Sequence, residues 1–411
     1  MRDTDLYAQL LGLRAPWQVD DVTLARPAAQ VTVHVSASED TEWVCPHCGG
    51  AVSGYDHRIR KWRHLDTMQY HTILEARVPR VRCPEHGVLT VDVPWAEPDS
   101  GFTALFEALV IDWLQEASVS AVSRLLGLSW GAVDRIMQRA VTRGMARREA
   151  VSPENLSVDE TSFQKRHEYV TVVTDSDAGR VLYVADERRR DSLAGFYGSL
   201  NEQQRAGIRS VSMDMWPAFI GATRAALPDA DTKIAFDKFH VAKYLGDGVD
   251  RVRRREHKAL MREGDTRLKN SRYQWLHNPH NMTDAQREHF IVLRDSRLKT
   301  ARAWAMKEEA MGLWEYRSRG WAEKGWHAWL SWAQRCRLAP MIKVAQTLRR
   351  YLWGILNATV LGVHNGHAES MNSRIQRIKR QACGFRNRER FRNAIYFHCG
   401  GLDLHPETLR I

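Results

Sequence analysis

The stretch "NLSVDETSFQ", residues 155–164, begins as an apolar strand and places two carboxylates, Asp159 and Glu160, directly after Val158. Apolar residues in so short a run predict a buried strand. We interpret Asp159 as the end of this strand. An acid at a strand end is usually a turn or cap residue. Its meaning here therefore depends on which other carboxylates the chain supplies.

A second strand-like run, "RSVSMD", ends at Asp214 and is followed by the helical segment "WPAFIGATRAAL". Around these runs the order strand-strand-strand-helix-strand-helix-strand predicts a mixed sheet whose first and fourth strands are central neighbours. Asp159 and Asp214 would then meet, and Glu369 could approach from the helix "GHAESMNSRIQRIKRQ". Such hard oxygen ligands suit Mg²⁺ or Mn²⁺, and two ions can act on a phosphodiester.

The charge of the chain favours a polyanionic partner. Sixty Lys and Arg residues exceed 49 Asp and Glu residues, which gives a net charge of +11, and nucleic acid is the commonest partner of such proteins. A basic protein without such a partner is the alternative. We find neither an apolar run of 18 residues nor a signal peptide, so we expect a cytosolic protein and no membrane partner.

Two short motifs, "CPHCGG" at 45–50 and "CPEHG" at 83–87, indicate a structural zinc site. Cys-x2-Cys followed by glycine directs two sulfurs at one ion, and Cys83-x2-His86 would complete a tetrahedral set with Cys45 and Cys48. Reduced cysteines in turns are the alternative. The fourth ligand stays open, because three more histidines lie nearby: His47, His57 and His64.

The segment "SVSAVSRLLGLSWGAVDRIMQRAV" predicts a helix-turn-helix, with Gly127 in the turn and Ser129 capping the second helix. An ordinary helical hairpin is the alternative. We expect five outward-facing side chains on the second helix: Trp130, Asp134, Arg135, Gln138 and Arg139. Apart from Asp134, we predict that these residues contact DNA.

Further basic residues are candidates for contact with DNA phosphates. They surround Trp62, lie in "DRVRRREHK" at 250–258, or follow Glu369 along its helix, and a solvated face is the alternative for each. The candidates are Arg58, Arg60, Lys61, Arg63, Arg253, Arg254, Arg374, Arg377 and Arg380. Between residues 243 and 350 the chain is helical and rich in Trp. Most of these aromatics should form a core, although one could stack on an unpaired base.

Four blocks resemble the signature sequences of bacterial insertion-sequence transposases of the ISL3 type: "SVDETSF", "VSMDMWPAFIGA", "AFDKFHVAKYL" and "NGHAESMNSRIQRIKRQACGFRNRERFRNAI". "VRCPEHGV" followed by "VPWAE" resembles the finger of that family. The resemblance covers nearly the whole chain. It implies Asp159, Asp214 and Glu369 as a catalytic DDE triad that binds two Mg²⁺ or Mn²⁺ ions.

The resemblance also implies supporting residues and partners. Asp237 and His240 match an Asp-x2-His element that supports the site or contacts the cleaved strand. Independently of the resemblance, helical spacing places residues 369, 372 and 376 on one face, so Asn372 and Gln376 could orient Glu369 or touch DNA. The implied partners are double-stranded DNA, both the terminal inverted repeats and the target, and a second copy of the chain or a larger synaptic assembly. A bacterial cytoplasmic protein, associated with the nucleoid when DNA-bound, is expected.

We therefore predict a multidomain α+β protein with a zinc-finger β module, a helix-turn-helix domain and a ribonuclease-H-like mixed α/β core interrupted by an all-helical insertion. The predicted divisions are 1–95, 102–148, 153–242, 243–350 and 360–411, of which the third and last form the core. Two other functions remain open at this stage. One is an inactive, transposase-derived DNA-binding regulator, and the other is a nuclease that only hydrolyses DNA.

Overall fold

The computed structural model describes residues 2–164, 168–276, 282–362 and 366–407. For residues 286, 289 and 366–369 it describes the backbone alone. Within these ranges no helix is both long and apolar enough to cross a membrane.

The N-terminal part is a six-stranded sheet preceded by helix α1 (Asp3–Leu10). Its strands are β1 (Trp17–Ala25), β2 (Gln30–Ala37), β3 (Trp43–Val44), β4 (Ala51–Thr67), β5 (Tyr70–Cys83) and β6 (Gly87–Thr90). They lie in the order β1-β2-β5-β4-β3, with β6 paired to β5. A short 3₁₀ turn (Arg26–Ala28) joins β1 to β2. Trp62 is fully buried in the core of this sheet, where its ring contacts Trp95.

Three helices follow: α2 (Ala104–Glu116), α3 (Val119–Leu126) and α4 (Trp130–Ala146). Ser118 and Ser129 cap α3 and α4, each accepting a hydrogen bond from a backbone N–H in the first turn. Gly127 ends α3 in the left-handed conformation, with φ at 64°, which glycine adopts without a steric penalty. The predicted helix pair, its turn at Gly127 and its cap at Ser129 are present in the structure, and Ser118 is a further cap that was not predicted.

A five-stranded mixed sheet forms the centre of the molecule, with strands β7 (Asn155–Gln164), β8 (Glu168–Asp175), β9 (Arg180–Asp186), β10 (Ser210–Met213) and β11 (Ile234–Phe236). The order is β11-β10-β7-β8-β9. Strands β10 and β7 are parallel neighbours, whereas β8 is antiparallel to β7 and to β9. The prediction that the first and fourth strands are central neighbours is confirmed.

Helices α5 (Arg190–Gly198), α6 (Glu202–Gly207), α7 (Pro217–Ala226) and α8 (Ala230–Lys233) connect the later strands. Leu156 and Val158 of β7 point into the core that contains α5 and α7. Phe163, on the opposite face of the strand, packs in a second core together with α4 and the C-terminal helices. The alternation of side chains along β7 thus gives each face of the sheet its own helical layer.

A helical segment separates β11 from the C-terminal helices. It comprises α9 (Lys238–Arg262), α10 (Arg272–Leu276), α11 (Asp284–Arg294), α12 (Lys299–Gly312), α13 (Arg319–Arg335), α14 (Ala339–Arg350) and α15 (Leu352–Leu361), with a 3₁₀ turn at Leu313–Glu315. Trp326 and Trp329 are buried in its core, whereas Trp321 is exposed. Helix α9 runs continuously across residue 243. The segment therefore begins on a helix that starts at the edge of the sheet.

The chain returns to the sheet through α16 (Gly366–Gln381) and α17 (Arg388–Cys399). Met371, Ile375 and Ile378 of α16 are buried in the core that also holds Phe163. Their spacing of three or four residues places them on one helix face. This face fixes which side of α16 is turned towards β7.

Candidate active site

Two carboxylates occupy matching positions on the parallel strands β7 and β10. Val158 pairs with Met213 in the register, so Asp159 and Asp214 follow at the same level on strands about 4.8 Å apart. The prediction that β7 ends at Asp159 was wrong, because antiparallel pairing with β8 continues as far as Gln164. It is the parallel partner β10 that ends, and Asp159 lies where this pairing stops.

Backbone groups hold one oxygen of each carboxylate. The N–H of Glu160 donates to Oδ1 of Asp159 at 2.6 Å, and the N–H of Met215 donates to Oδ1 of Asp214 at 2.6 Å. The other oxygen of Asp159 accepts a hydrogen bond from Nδ2 of Asn372 on α16. Each contact fixes a carboxylate rotamer, so both acids are oriented by their surroundings.

Burial raises the pKa of Asp159, and the nearby charge of Asp214 raises it further. The Glu160 N–H, the Asn372 amide and His240 act in the opposite direction. Two acids of like charge at a partly buried strand edge repel each other, and a divalent cation between them would remove this cost. Their oxygen donors fit Mg²⁺ or Mn²⁺.

Asp237 and His240 lie at the start of α9, beside Asp214. Asp237 caps the helix by accepting a hydrogen bond from the N–H of Phe239 at 2.5 Å, and its own N–H donates to the carbonyl of Met213 at 3.2 Å. Nδ1 of His240 is 3.6 Å from Oδ2 of Asp214, and its Nε2 is 3.9 Å from Oδ2 of Asp237. The Asp-x2-His element therefore adjoins one of the two acids.

Helix α16 lies along β7 through polar contacts one turn apart. Besides Asn372, Gln376 donates to Oγ1 of Thr161 at 2.9 Å and Lys379 donates to the carbonyl of Ser162 at 2.7 Å. Glu369 lies on the same helix, but its side chain is outside the described residues. The structure thus brings together Asp159, Asp214, His240 and Asn372, and the position of the Glu369 carboxylate stays a prediction.

Three cysteines and a histidine form a compact cluster in the N-terminal part. One ligand atom from each of Cys45, Cys48, Cys83 and His86 lies within 4.8 Å of the others. Sγ of Cys83 is 3.5 Å from Nδ1 of His86. Gly87, with φ at 72°, follows as the turn residue that the motif requires. Four soft and borderline donors in this arrangement fit tetrahedral Zn²⁺.

The DDE-domain model of the ISL3 transposases, described as "Transposase", matches residues 156–395, more than half of the chain. The chain belongs to the ISL3 transposase family. The family's helix-turn-helix model matches residues 91–141. A zinc-finger model of the transposases of IS204, IS1001, IS1096 and IS1165 matches residues 41–86, which include all four residues of the Cys-His cluster.

Curated relatives agree with this assignment. The chain is 31% identical to the transposase for insertion sequence element IS1557 of Mycobacterium tuberculosis, over 94% of this chain and 93% of that protein. It is 29% identical to the transposase for insertion sequence element IS1001 of Bordetella parapertussis, over 85% of this chain and 86% of the relative. The predicted family and multidomain fold class are therefore confirmed.

The second helix of this transposase's helix-turn-helix is partly covered by its own C-terminal helix. Asp134, expected to face outward, is buried because Arg390 of α17 pairs with it at 3.0 Å. The Arg390 guanidinium also lies 4.7 Å from the ring centre of Trp130, and Gln138 donates to Asp134 at 3.0 Å. Arg135 is exposed. DNA contacts by Trp130, Arg135 and Gln138 remain predictions.

Two predicted DNA contacts are corrected by the structure. Arg253 is 9% exposed and donates to Asp250, one helical turn earlier, at 2.8 and 3.0 Å. Arg63 lies against the ring of Phe106 and pairs with Asp66, with 11% of its side chain exposed. Their positive charges are neutralised inside the protein.

The other predicted basic contacts differ in their surroundings. Arg139 pairs with the buried Glu107, so its guanidinium is engaged within the protein. Arg60 is partly buried over Trp62, Lys61 pairs with Glu75 at 2.7 Å, and Arg254 pairs with Asp250 at 3.1 Å. Four are exposed: Arg58, Arg374, Arg377 and Arg380.

Proposed function

We propose that this transposase binds the terminal inverted repeats of its insertion sequence, cleaves DNA at the ends and joins the freed 3′ hydroxyl to target DNA. One observation carries the proposal. The parallel register of β7 and β10 places Asp159 beside Asp214, and α16 delivers Asn372 onto Asp159. Three segments far apart in the chain converge on this point, as a composite active site requires.

Asp159, Asp214 and Glu369 are proposed to hold two Mg²⁺ or Mn²⁺ ions. When bound, such ions supply activation of a water or sugar hydroxyl and stabilisation of the leaving oxygen of a phosphodiester. The protein's own contribution is orientation. The Glu160 N–H and Asn372 hold both oxygens of Asp159, while His240 adjoins Asp214. Carboxylates that are fixed before DNA arrives need no reorganisation during the reaction.

DNA binding is assigned to the N-terminal modules and to α16. The zinc finger, held by Zn²⁺ at Cys45, Cys48, Cys83 and His86, and the helix-turn-helix would bind the inverted repeat. The exposed cations of α16, at 374, 377 and 380, would hold the backbone next to the acids, because phosphate contacts position DNA without reading sequence. We propose the domain division 1–95, 102–148, 153–242 with 360–411, and 243–350. We also propose a dimer or larger assembly that holds two ends together.

Cleavage of a duplex that carries the inverted repeat tests this function. With Mn²⁺, the variants Asp159→Asn, Asp214→Asn and Glu369→Gln should each lose at least a thousandfold in cleavage rate, about 4 kcal/mol in activation free energy. All three should still shift the duplex in a binding assay. Asp177→Asn is the matched control, because Asp177 accepts hydrogen bonds from Asn155 at the opposite end of β7.

Normal cleavage by any one of the three variants would remove that residue from the site. A wild-type protein that binds the duplex but leaves it uncut would be a DNA-binding regulator. Cleavage without joined products would indicate a nuclease that only hydrolyses.

A further inference from the structure

Arg188 lies in an aromatic and acidic pocket near the two strand-edge acids. Its guanidinium carbon is 4.3 Å from the ring centre of Trp216 and 4.9 Å from that of Tyr169. Its Nη1 donates to Oε1 of Glu160 at 2.7 Å. We call Arg188, Glu160, Tyr169 and Trp216 the Arg188 cluster. These four residues are far apart in the chain and meet only in the folded protein. The sequence next to Arg188 therefore does not explain the arrangement.

The backbone is held in an unusual conformation to place this arginine. Glu187 has φ at 64°, in the left-handed region that non-glycine residues rarely adopt. Two hydrogen bonds hold it there: its N–H donates to the carbonyl of Tyr169 at 2.8 Å, and its carbonyl accepts from Oγ1 of Thr171 at 2.6 Å. The carbonyl of Arg188 accepts from Nε1 of Trp216 at 3.1 Å. The turn therefore directs Arg188 back over the sheet.

The cluster is connected to both catalytic candidates on β7 and β10. Glu160 follows Asp159 directly, and Trp216 donates its N–H to the carbonyl of Asp214 at 2.7 Å. Glu160 lies on the opposite face of β7 from Asp159, because successive residues of a strand alternate. Helix α16 therefore approaches the strand edge from one face of the sheet and Arg188 from the other.

Resting on the proposed function, we propose that Arg188 binds a phosphate of the DNA strand next to the cleaved bond, and that Glu160 positions it before DNA binds. About a third of the Arg188 side chain, 36%, is exposed. Of its five N–H donors, one is used by Glu160. The guanidinium is planar, and its contacts with the two rings restrict the orientation of that plane, which suits the oxygens of a phosphate.

A purely structural role for Arg188 makes a different prediction, because its only task would then be to neutralise Glu160. Arg188→Gln would leave a partly buried carboxylate without its cation, and the double variant Glu160→Gln/Arg188→Gln would restore the balance. If Arg188 binds phosphate, the double variant stays impaired. The neighbouring Arg189→Gln is the matched control, since Arg189 is 75% exposed and pairs with Glu187.

The experiment uses the full-length, zinc-loaded protein and a duplex carrying the inverted repeat, with two readouts. Arg188→Gln should slow Mn²⁺-dependent cleavage about 10–100-fold, the range expected for one charge-assisted hydrogen bond. In Ca²⁺, the slope of log binding constant against log salt should become shallower by about 0.9, the value for one lost phosphate contact. The double variant should show the same losses, and Arg189→Gln should show neither.

Recovery of cleavage and salt slope in the double variant would overturn the proposal, as would equal losses in Arg188→Gln and Arg189→Gln. Should Arg188→Gln alone not fold, the charge-balanced double variant provides the same test. Failure of wild-type cleavage would refute the proposed function, whereas unchanged cleavage and slope in the Arg188 variants would refute this inference alone.

Discussion

Replacing Gly354 by alanine would place a methyl group inside the contact distance of the Phe236 ring. A Cβ at residue 354 would lie 2.4 Å from Cδ2 and Cε2 of Phe236 and 3.1 Å from its Cζ. Ordinary contact begins near 3.4 Å, so the ring or the helix must move by about 1 Å. Phe236 is fully buried, with the rings of Tyr351 and Trp353 at 5.4 and 5.0 Å. The Phe236 ring therefore has little free space into which it could move.

The expected loss of stability follows from two opposing effects. Overpacking of a core costs about 1–3 kcal/mol, and an overlap of this size belongs at the upper end. Alanine gains about 1 kcal/mol over glycine in a helix interior. The net loss is about 2 kcal/mol, which corresponds to a fall of about 4–8 °C in the melting temperature of a domain of about 200 residues. Because Asp237 follows Phe236, cleavage should fall as well.

Calorimetry and hydrogen exchange of the β11 and α15 amides would measure this effect. Gly221→Ala is the matched control, because Gly221 also lies within a helix and an added Cβ there meets no atom within 4 Å. It should melt at the wild-type temperature or slightly above. The packing argument fails if Gly354→Ala melts as high as Gly221→Ala, or if protection of residues 234–236 is unchanged.

Two further predictions concern the N-terminal part. Cys48→Ser, or a strong chelator, should remove one equivalent of zinc and abolish the protection of the β4–β6 amides from hydrogen exchange. The reason is that metal binding can supply about 10–16 kcal/mol to the folding of such a module. Retained protection in the absence of zinc would contradict this prediction. His64 is buried, and burial, with Arg63 nearby, lowers its pKa from 6.5 to about 4. The unfolded chain therefore binds a proton first, and stability should decline by up to about 3 kcal/mol as the pH falls from 6.5 to 4. His64→Gln should flatten that part of the pH–stability curve, and an unchanged slope would refute the assignment.

The sequence was sufficient for the core topology because alternating strands and helices admit few connections. It therefore predicted the neighbouring positions of β7 and β10. The predicted end of β7 at Asp159 was wrong because the length of the strand depends on its pairing with β8. The residues around Asp159 contain no local signal of that pairing. The cluster of metal ligands, in contrast, was predictable from the two Cys motifs. The spacing within each motif is local, so it does not depend on a partner strand.

Single charges were the least predictable features. Arg253 belongs to a basic run that indicates a DNA-facing surface, yet Asp250 neutralises it one helical turn away. Arg188 lies in the run "ERRRDS", which by itself resembles a solvated stretch. Tyr169 and Trp216 contact it only after the sheet has formed. The one available signal was the unassigned Glu160 beside Asp159.

The order of the segments along the chain also determines when the proposed site can be assembled during synthesis. Asp159 and Asp214 leave the ribosome early, whereas Asn372 and the rest of α16 follow about 150 residues later. At about 5–20 residues per second, that interval lasts roughly 8–30 s. During this time the emerging polypeptide contains Asp159 and Asp214 but lacks Asn372, whose amide donates to Asp159 in the folded protein. We therefore expect the proposed site to be complete only after α16 has been synthesised.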